Sequence, residues 1–353
     1  MAVRISSLPA GIVVLAALPS GLLGQPSSDV HDFLSRYAEV TQDDLNLLEG
    51  EQVLMKPLHS EAKQEIAVLA AVRIHASTEF FLRMINDIEG FRSGWGTTKR
   101  ISDPPVPEDF ESLMWPEQDF AALRKCKVGQ CDLKLGEAGI NQLQGSVDWE
   151  SPDAAEQARA ILRQRAFQFA SDYCSGGNAA LGEVRDKKRP TLISKEFVEI
   201  VEHSPYLVAH APELREYLLR YPQARPPRAT DFLYWTVDEV TFPTPTLRAT
   251  HVTIQPLAEG ENASTLIASK HIYFSRLFHT GLDILALVRD EGHGDENWFY
   301  AVAITRVRTD ALSGFFGRVV RDEAVKTVRE AARKYIEILK EAIERYYRDE
   351  GGR

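Results

Sequence analysis

The sequence lacks strong catalytic signatures. Neither G-x-S-x-G nor H-E-x-x-H occurs in its 353 residues. Gly94-Trp95-Gly96 and Gly176-Gly177 lack the strand-to-helix setting of phosphate-binding loops, so the common hydrolase, zincin and nucleotide-binding chemistries are set aside. Cysteine is scarce, with three residues. Cys126 and Cys131 have no second pair to complete a zinc site, and Cys131 is followed by Asp132 and Leu133 rather than by a histidine for haem attachment. Basic residues are outnumbered, 41 against 51 acidic ones, and the net charge of -10 argues against a broad basic surface for nucleic acid. Asp290, Glu291, Asp295 and Glu296 surround Gly292-His293-Gly294 without EF-hand spacing and read as a solvated hairpin loop. No cofactor or metal is expected.

What is present starts at the N-terminus. Met1 to Arg4 is short and basic, residues 8–23 are apolar, and Gln25, Pro26, Ser27 and Ser28 are polar, with Gly24 near a candidate cleavage point. That is the layout of a secretory signal peptide over residues 1–25. Pro9, Gly11 and Pro19 interrupt the apolar stretch, which is short for a membrane span, and no cysteine follows it to carry a lipoprotein anchor. A periplasmic or secreted protein is expected. An oxidising compartment would let Cys126 and Cys131 close a small disulfide loop, with reduced buried thiols and metal or redox chemistry as the alternatives, and Cys174 is expected to be buried.

The apolar fraction of 44% and charged fraction of 26% suit a folded core, and the chain is long enough for one large domain or two smaller ones. Residues 26–50 read as one N-terminal helix with Phe33, Tyr37, Val40 and Leu45 on its apolar side. Strands at 52–58 and 65–74 follow, the second alternating through Ile66, Val68, Ala70 and Val72. Ser77 is placed to cap a helix running through Phe81, Met84 and Ile85 to Ile88. Residues 102–228 change character to helix and loop, with helices at 152–172, 194–203 and 212–221, and read as a helical insertion. Five strand-like runs come next, at 231–241, 247–255, 264–274, 280–289 and 298–309. Their short, turn-forming links favour an antiparallel meander, since a parallel pair needs a crossover of about a dozen residues or more. A long amphipathic helix from about 316 to 347 closes the chain, with Val325, Val328, Ala332, Tyr335, Leu339, Ala342 and Tyr346 at helical spacing.

The order strand, helix, antiparallel strands and long C-terminal helix is carried by EIAVLAAVRIHASTEFFLRMINDI at 65–88, ASKHIYF at 268–274 and WFYAVAITRVR at 298–308. It resembles the START-like fold, also called the helix-grip or SRPBCC superfamily. The resemblance implies an α+β protein in which a curved antiparallel sheet grips the C-terminal helix around a cavity, its two parts (51–101 and 229–349) separated by the insertion at 102–228. Members of that superfamily bind lipids, sterols, polyketides or plant hormones, and a minority catalyse cyclisation or hydroxylation. The function implied is binding or carriage of an apolar small molecule, lipid or isoprenoid-like. An enzyme of the cyclase or hydroxylase kind is one alternative. Another is a non-catalytic envelope protein that meets a protein partner through 102–228.

Aromatic residues are the candidate ligand contacts, each giving apolar area and, for Tyr and Trp, a polar handle: Tyr234, Tyr273, Trp298 and Tyr300 on the sheet, and Phe315 and Phe316 where the last helix begins. A filled core is the alternative for each. Gly314-Phe315-Phe316-Gly317 reads equally as a movable lip or as a tight turn. His251, His271 and His279 lie on or beside neighbouring strands; facing one cavity they would hold a metal or supply a base, and otherwise they are structural. No residue is assigned a catalytic role.

Overall fold

The computed structural model describes residues 30–240, 244–257, 264–289, 298–309, 312 and 317–350; within 317–335 it describes only the side chains of residues 326, 329, 330, 332 and 333. The expected signal peptide, the carboxylate-rich loop around 290–296, the glycine-flanked Phe315 and Phe316, and the side chains of Val325, Val328 and Tyr335 lie outside the described residues. Where one N-terminal helix was expected there are two, α1 (Val30–Ala38) and α2 (Gln42–Glu49). The break has a local cause. Glu39 adopts a positive φ of 50°, and Thr41 opens α2 with a capping box: its hydroxyl accepts from the Asp44 amide at 3.3 Å while the Asp44 carboxylate accepts from the Thr41 amide at 2.7 Å.

Next come β1 (Leu54–Pro57), β2 (Glu65–His75), α3 (Thr78–Asn86), α4 (Ile88–Phe91) and β3 (Gly96–Ile101). Ser77 caps α3 as expected, accepting from the Phe80 amide at 3.1 Å. The segment that follows contains α5 (Glu117–Lys125), α6 (Glu137–Ser146), α7 (Ala154–Gly176), the short pair β4 (Glu183–Val184) and β5 (Thr191–Leu192), α8 (Ile193–Glu202), α9 (Pro205–His210) and α10 (Pro212–Arg220). The chain then returns to strand with β6 (Thr230–Asp238), β7 (Thr246–Pro256), β8 (Thr265–Phe274), β9 (Phe278–Arg289) and β10 (Trp298–Thr309), and ends in α11 (Gly317–Asp349).

The protein is α+β, and its main sheet has eight strands in the order β1-β2-β10-β9-β8-β7-β6-β3, antiparallel throughout. The meander expected from the short links forms β6 to β10. β2 then closes against β10 over its full length, from Trp298 opposite His75 to Arg308 opposite Glu65. β3 escapes a reading by hydrophobic alternation because Gly-Thr-Thr-Lys-Arg-Ile is mostly polar. It sits at the sheet edge, where one side needs no partner, and pairs with β6 from Gly96 opposite Asp238 to Ile101 opposite Leu233.

Both faces of the sheet are covered, which is why β2 is buried at ten successive positions instead of alternating. On one face Val68, Ala70, Val72, Phe232, Val252, Ile267, Leu287, Phe299 and Val307 pack with Phe80 and Phe81 of α3 and with Ile343 and Tyr347 of α11. This helix face is fastened to α11 by polar contacts at one end: Arg333 donates to the Val53 carbonyl at 3.0 Å, Lys340 to the Arg73 carbonyl at 3.0 Å, and the His75 amide to Glu344 at 3.0 Å.

The opposite face carries two cores. One joins Leu233, Trp235, Val237 and Leu247 to Leu123, Leu143, Leu162 and Tyr173. The other joins Leu69, Leu282, Ile284, Val302 and Ile304 to Leu34 and Leu48 and to Phe197, Ile200 and Leu214. Residues 102–228 therefore form a lid over this face of the sheet, not an appendage, and each large apolar side chain they bury against it is worth about 1.5–3 kcal/mol.

Charges trapped by this double cover are paired. Glu65, wholly buried at the start of β2, meets the guanidinium groups of Arg306 and, at 3.1 Å, Arg308, both also buried. Removing one member of such a group strands the others away from water. Glu65→Ala is expected to lower unfolding free energy by about 3–5 kcal/mol, read as a shift in the urea midpoint, whereas Glu216→Ala, in an exposed i,i+4 pair with Arg220, should shift it little.

Candidate functional site

Alternation along a strand sends successive side chains to opposite faces, and the register of β8, β9 and β10 lines up a row on the helix face. Ser269 stands opposite Asp283, and Asp283 opposite Thr305; in the next row Leu285 stands opposite Ala303. All five remain partly accessible in the middle of the sheet. Their neighbours pointing the other way, Ala268, Leu282, Ile284, Val302 and Ile304, are buried against the helical lid. At these positions the helix face is thus less closely covered than the reverse side of the same strands. Around them stand the apolar side chains of Ile267, Leu287, Phe299 and Val307, so a short polar row crosses an otherwise hydrocarbon wall.

Asp283 is the charged member of that row and keeps 33% of its side chain accessible. Its Oδ2 lies 2.8 Å from Nε2 of His271, whose Nδ1 lies 3.2 Å from the Thr250 hydroxyl. Burial pushes the His271 pKa below its ordinary value. Burial pushes Asp283 upward, but the neighbouring His271, with Thr305 and Arg248, outweighs it and holds the carboxyl below its ordinary value. The consistent assignment is a neutral imidazole donating from Nε2 to an ionised carboxylate and accepting at Nδ1 from Thr250. Asp283 Oδ1 is itself buried, and Thr305 adds to the stabilisation of the carboxylate.

Gly281 makes the arrangement possible. A Cβ there would fall 2.7 Å from Val307 Cγ1, 3.0 Å from the Arg306 carbonyl and 3.1 Å from His271 Cδ2. The imidazole occupies the space that a side chain would take.

The aromatic residues chosen from sequence divide between the faces. Tyr234 lies on the helix face, buried beside Phe232. Tyr273 and Tyr300 lie on the opposite face and do not border the space beneath α11. The Tyr273 ring packs at 6.5 Å from Trp115 and 6.2 Å from Phe169, and the Tyr300 hydroxyl donates to Glu49 at 2.9 Å. Strand phase is the reason: Tyr300 alternates with Phe299 and Ala301, which take the helix face. Trp298, at the end of β10, is stacked on His75 at 4.6 Å with the Arg73 guanidinium 4.2 Å above its ring, which makes it part of the clasp that holds α11. Phe315 and Phe316 lie outside the described residues.

The three histidines do not converge. His271 meets Asp283, His279 meets Glu196 of α8 at 2.7 Å, and His251 faces Asp231 at 3.8 Å while its Nδ1 meets the Tyr173 hydroxyl at 2.9 Å. Each is paired with a different carboxylate, and among the described residues no three His, Cys, Asp or Glu side chains form a group that could hold a metal ion. Cys126 and Cys131 form the disulfide, with Cα atoms 4.5 Å apart. Cys174 is half-buried instead of buried, because it borders a cleft. Ser269, Asp283 and Thr305 were not chosen from sequence; the available signal was Asp283 itself, a lone charge inside the apolar run of β9.

The chain matches no protein-family model, no characterised protein and no solved structure.

Two outcomes follow. His251 and His271 both have folded-state pKa values below the ordinary 6.5, with burial the leading cause, so the unfolded chain binds protons that the folded one resists. Stability is present above that ordinary value and is lost as the pH falls below it: melting temperature should decline between about pH 7 and pH 5, and less steeply in His271→Asn. Gly281→Ala should cost about 1–3 kcal/mol of stability in chemical denaturation and move the His271 ring resonances in NMR spectra.

Proposed function

We propose that this chain is an exported START-like (helix-grip) protein that binds or carries an amphiphilic small molecule, lipid or isoprenoid-like, between the helix face of its sheet and α11. The observation that carries the reading is the row on the helix face where Ser269, Asp283, Thr305, Leu285 and Ala303 remain partly accessible while Ala268, Leu282, Ile284, Val302 and Ile304 behind them are buried. The connectivity supports it as well. Two strands, two short helices and an edge strand come first, then, after the segment 102–228, a five-strand meander and a long helix, with β2 closing on β10. Export is proposed from residues 1–25, and the Cys126–Cys131 disulfide suits an oxidising compartment.

The chemistry of the face shapes the ligand. Hydrocarbon buried against Ile267, Leu287, Phe299 and Val307 supplies affinity at roughly 25 cal/mol per Å² of apolar surface removed from water, less the cost of ordering the ligand. An ionised Asp283 in the row favours a head that donates a hydrogen bond, a hydroxyl or an ammonium, and repels a carboxylate. His271 is buried with both ring nitrogens engaged, which suits it to orienting Asp283 rather than to taking protons from a ligand.

Native mass spectrometry of the protein purified from its own envelope, followed by organic extraction, is expected to find a stoichiometric apolar molecule. Leu285→Trp together with Ala303→Phe, which add bulk at the row, should abolish its retention, and Asp283→Asn should weaken a hydroxylated ligand at least tenfold, about 1.4 kcal/mol. A protein that remains ligand-free after incubation with envelope lipids would overturn the reading.

A further inference from the structure

A chain of net charge -10 gathers part of its basic complement in one place. The runs 125–136 and 185–192 hold seven lysines and arginines against two acidic residues, Asp132 and Asp186. The fold joins the two runs. The first leaves α5 as a loop closed by the Cys126–Cys131 disulfide and by backbone hydrogen bonds exchanged between Lys127 and Gln130 at 2.9 and 2.8 Å. The second is the connection of the β4–β5 hairpin, in which Val184 stands opposite Thr191. The Gly129 amide donates to the Arg185 carbonyl at 2.7 Å and the Cys131 amide to the Asp186 carbonyl at 2.9 Å, so the loops lie edge to edge. They are in contact: a Cβ on Gly129, at φ +84°, would stand 3.5 Å from the Lys188 Cα.

Part of this charge is spent inside the structure. Lys134 and Asp186 pair at 2.6 Å, both buried, and the Lys134 amide donates to the Ser275 carbonyl at 2.8 Å, which fastens the loops to the end of β8. Arg185 is taken by Glu183 at 2.7 Å. Lys125, Lys127, Lys188 and Arg189 are left. Each is exposed and none forms an ion pair among the described residues, while Asp132 is the one exposed carboxylate in the two runs. The braced backbone holds these like charges near one another, and their repulsion is relieved when an anion meets them.

Two further observations say which anion. Val128, between Lys127 and Gly129, is 39% exposed, and Leu192, at the end of the hairpin connection, is 49% exposed. Cations beside exposed hydrocarbon suit the boundary of a bilayer, where aliphatic groups and lysine stems enter the headgroup layer while the ammonium groups meet phosphates. The second observation is compositional. Neither run contains an aromatic residue. That removes the stacking platform of a site for single-stranded nucleic acid and the aromatic anchors that carry most protein interfaces, which are also poor in lysine.

We propose that the paired loops 125–136 and 185–192 dock this protein on the phosphate headgroups of an anionic bilayer, with Lys125, Lys127, Lys188 and Arg189 meeting the phosphates and Val128 entering the headgroup layer. Four exposed cations and a little hydrocarbon make a peripheral, reversible attachment that salt weakens. The surface is independent of the ligand site beneath α11, and either can fail without the other.

The test sediments the protein, purified from its own envelope, with vesicles of phosphatidylcholine alone and with vesicles of equal parts phosphatidylcholine and phosphatidylglycerol. Binding is expected to the anionic vesicles at low salt, at least tenfold weaker to the neutral ones, and lost at high salt. Lys127→Glu together with Lys188→Glu should weaken it at least tenfold. Arg83→Glu with Arg220→Glu makes the same change in net charge at exposed positions outside the two loops and should leave binding within about twofold. Val128→Ser should weaken it severalfold. Failure to sediment with anionic vesicles at low salt, equal binding to both kinds of vesicle, equal loss in the two double variants, or unchanged binding in Val128→Ser would each overturn the proposal. So would binding to soluble polyglutamate or single-stranded DNA as tight as to the anionic vesicles, which would assign the surface to a different partner.

Discussion

Covering a sheet on both faces removes the solvent that its charged residues would otherwise use, and much of this structure answers to that constraint. Glu65 is met by Arg306 and Arg308, Asp238 by Arg92 at 2.8 Å and Arg248 at 3.7 Å, His271 by Asp283 and His279 by Glu196. Lys270 shows the limit of the rule. It is wholly buried, it donates to the Asn178 side-chain Oδ1 and reaches the faces of Tyr173 and Phe197 rather than a carboxylate, and burial drives its pKa well below the ordinary value.

The two faces are covered by different means, and this separates their roles. The helical lid of residues 102–228, joined by α1 and α2, packs on one face and buries Ala268, Leu282, Ile284, Val302 and Ile304 behind β8 to β10. The other face is covered by α3, α4 and α11, and α11 is tied down by Arg333, Lys340 and Glu344 near β1 and the end of β2. A polar row can survive in the sheet only where something other than hydrocarbon lies over it. Ser269, Asp283 and Thr305 occupy that position.

Strand and helix existence was legible where the pattern was strong: β2, the five strands from β6 to β10, and α11 fall within a few residues of their expected limits. Edge strand β3 was hidden by its polarity, and the break between α1 and α2 by a capping box that hydrophobic spacing does not register. The candidate site was harder to read because strands buried on both faces lose the alternation that assigns a side chain to one of them. Tyr300 and Tyr273 were plausible ligand contacts by chemistry and lie on the far face by phase. His251, His271 and His279 are close in sequence, yet they are distributed to Asp231, Asp283 and Glu196 by faces and by elements that only the folded chain brings near.

The pairing of β2 with β10 also governs the order in which the chain can be finished. β2 finds β1 nearby, but its other edge waits for residues 298–308, more than two hundred positions later. Until the ribosome has delivered that strand, an almost entirely apolar ribbon stands with one row of backbone amides and carbonyls bare, and the helical lid has only part of its floor to settle on. The main sheet can therefore be completed only after most of the chain has been made.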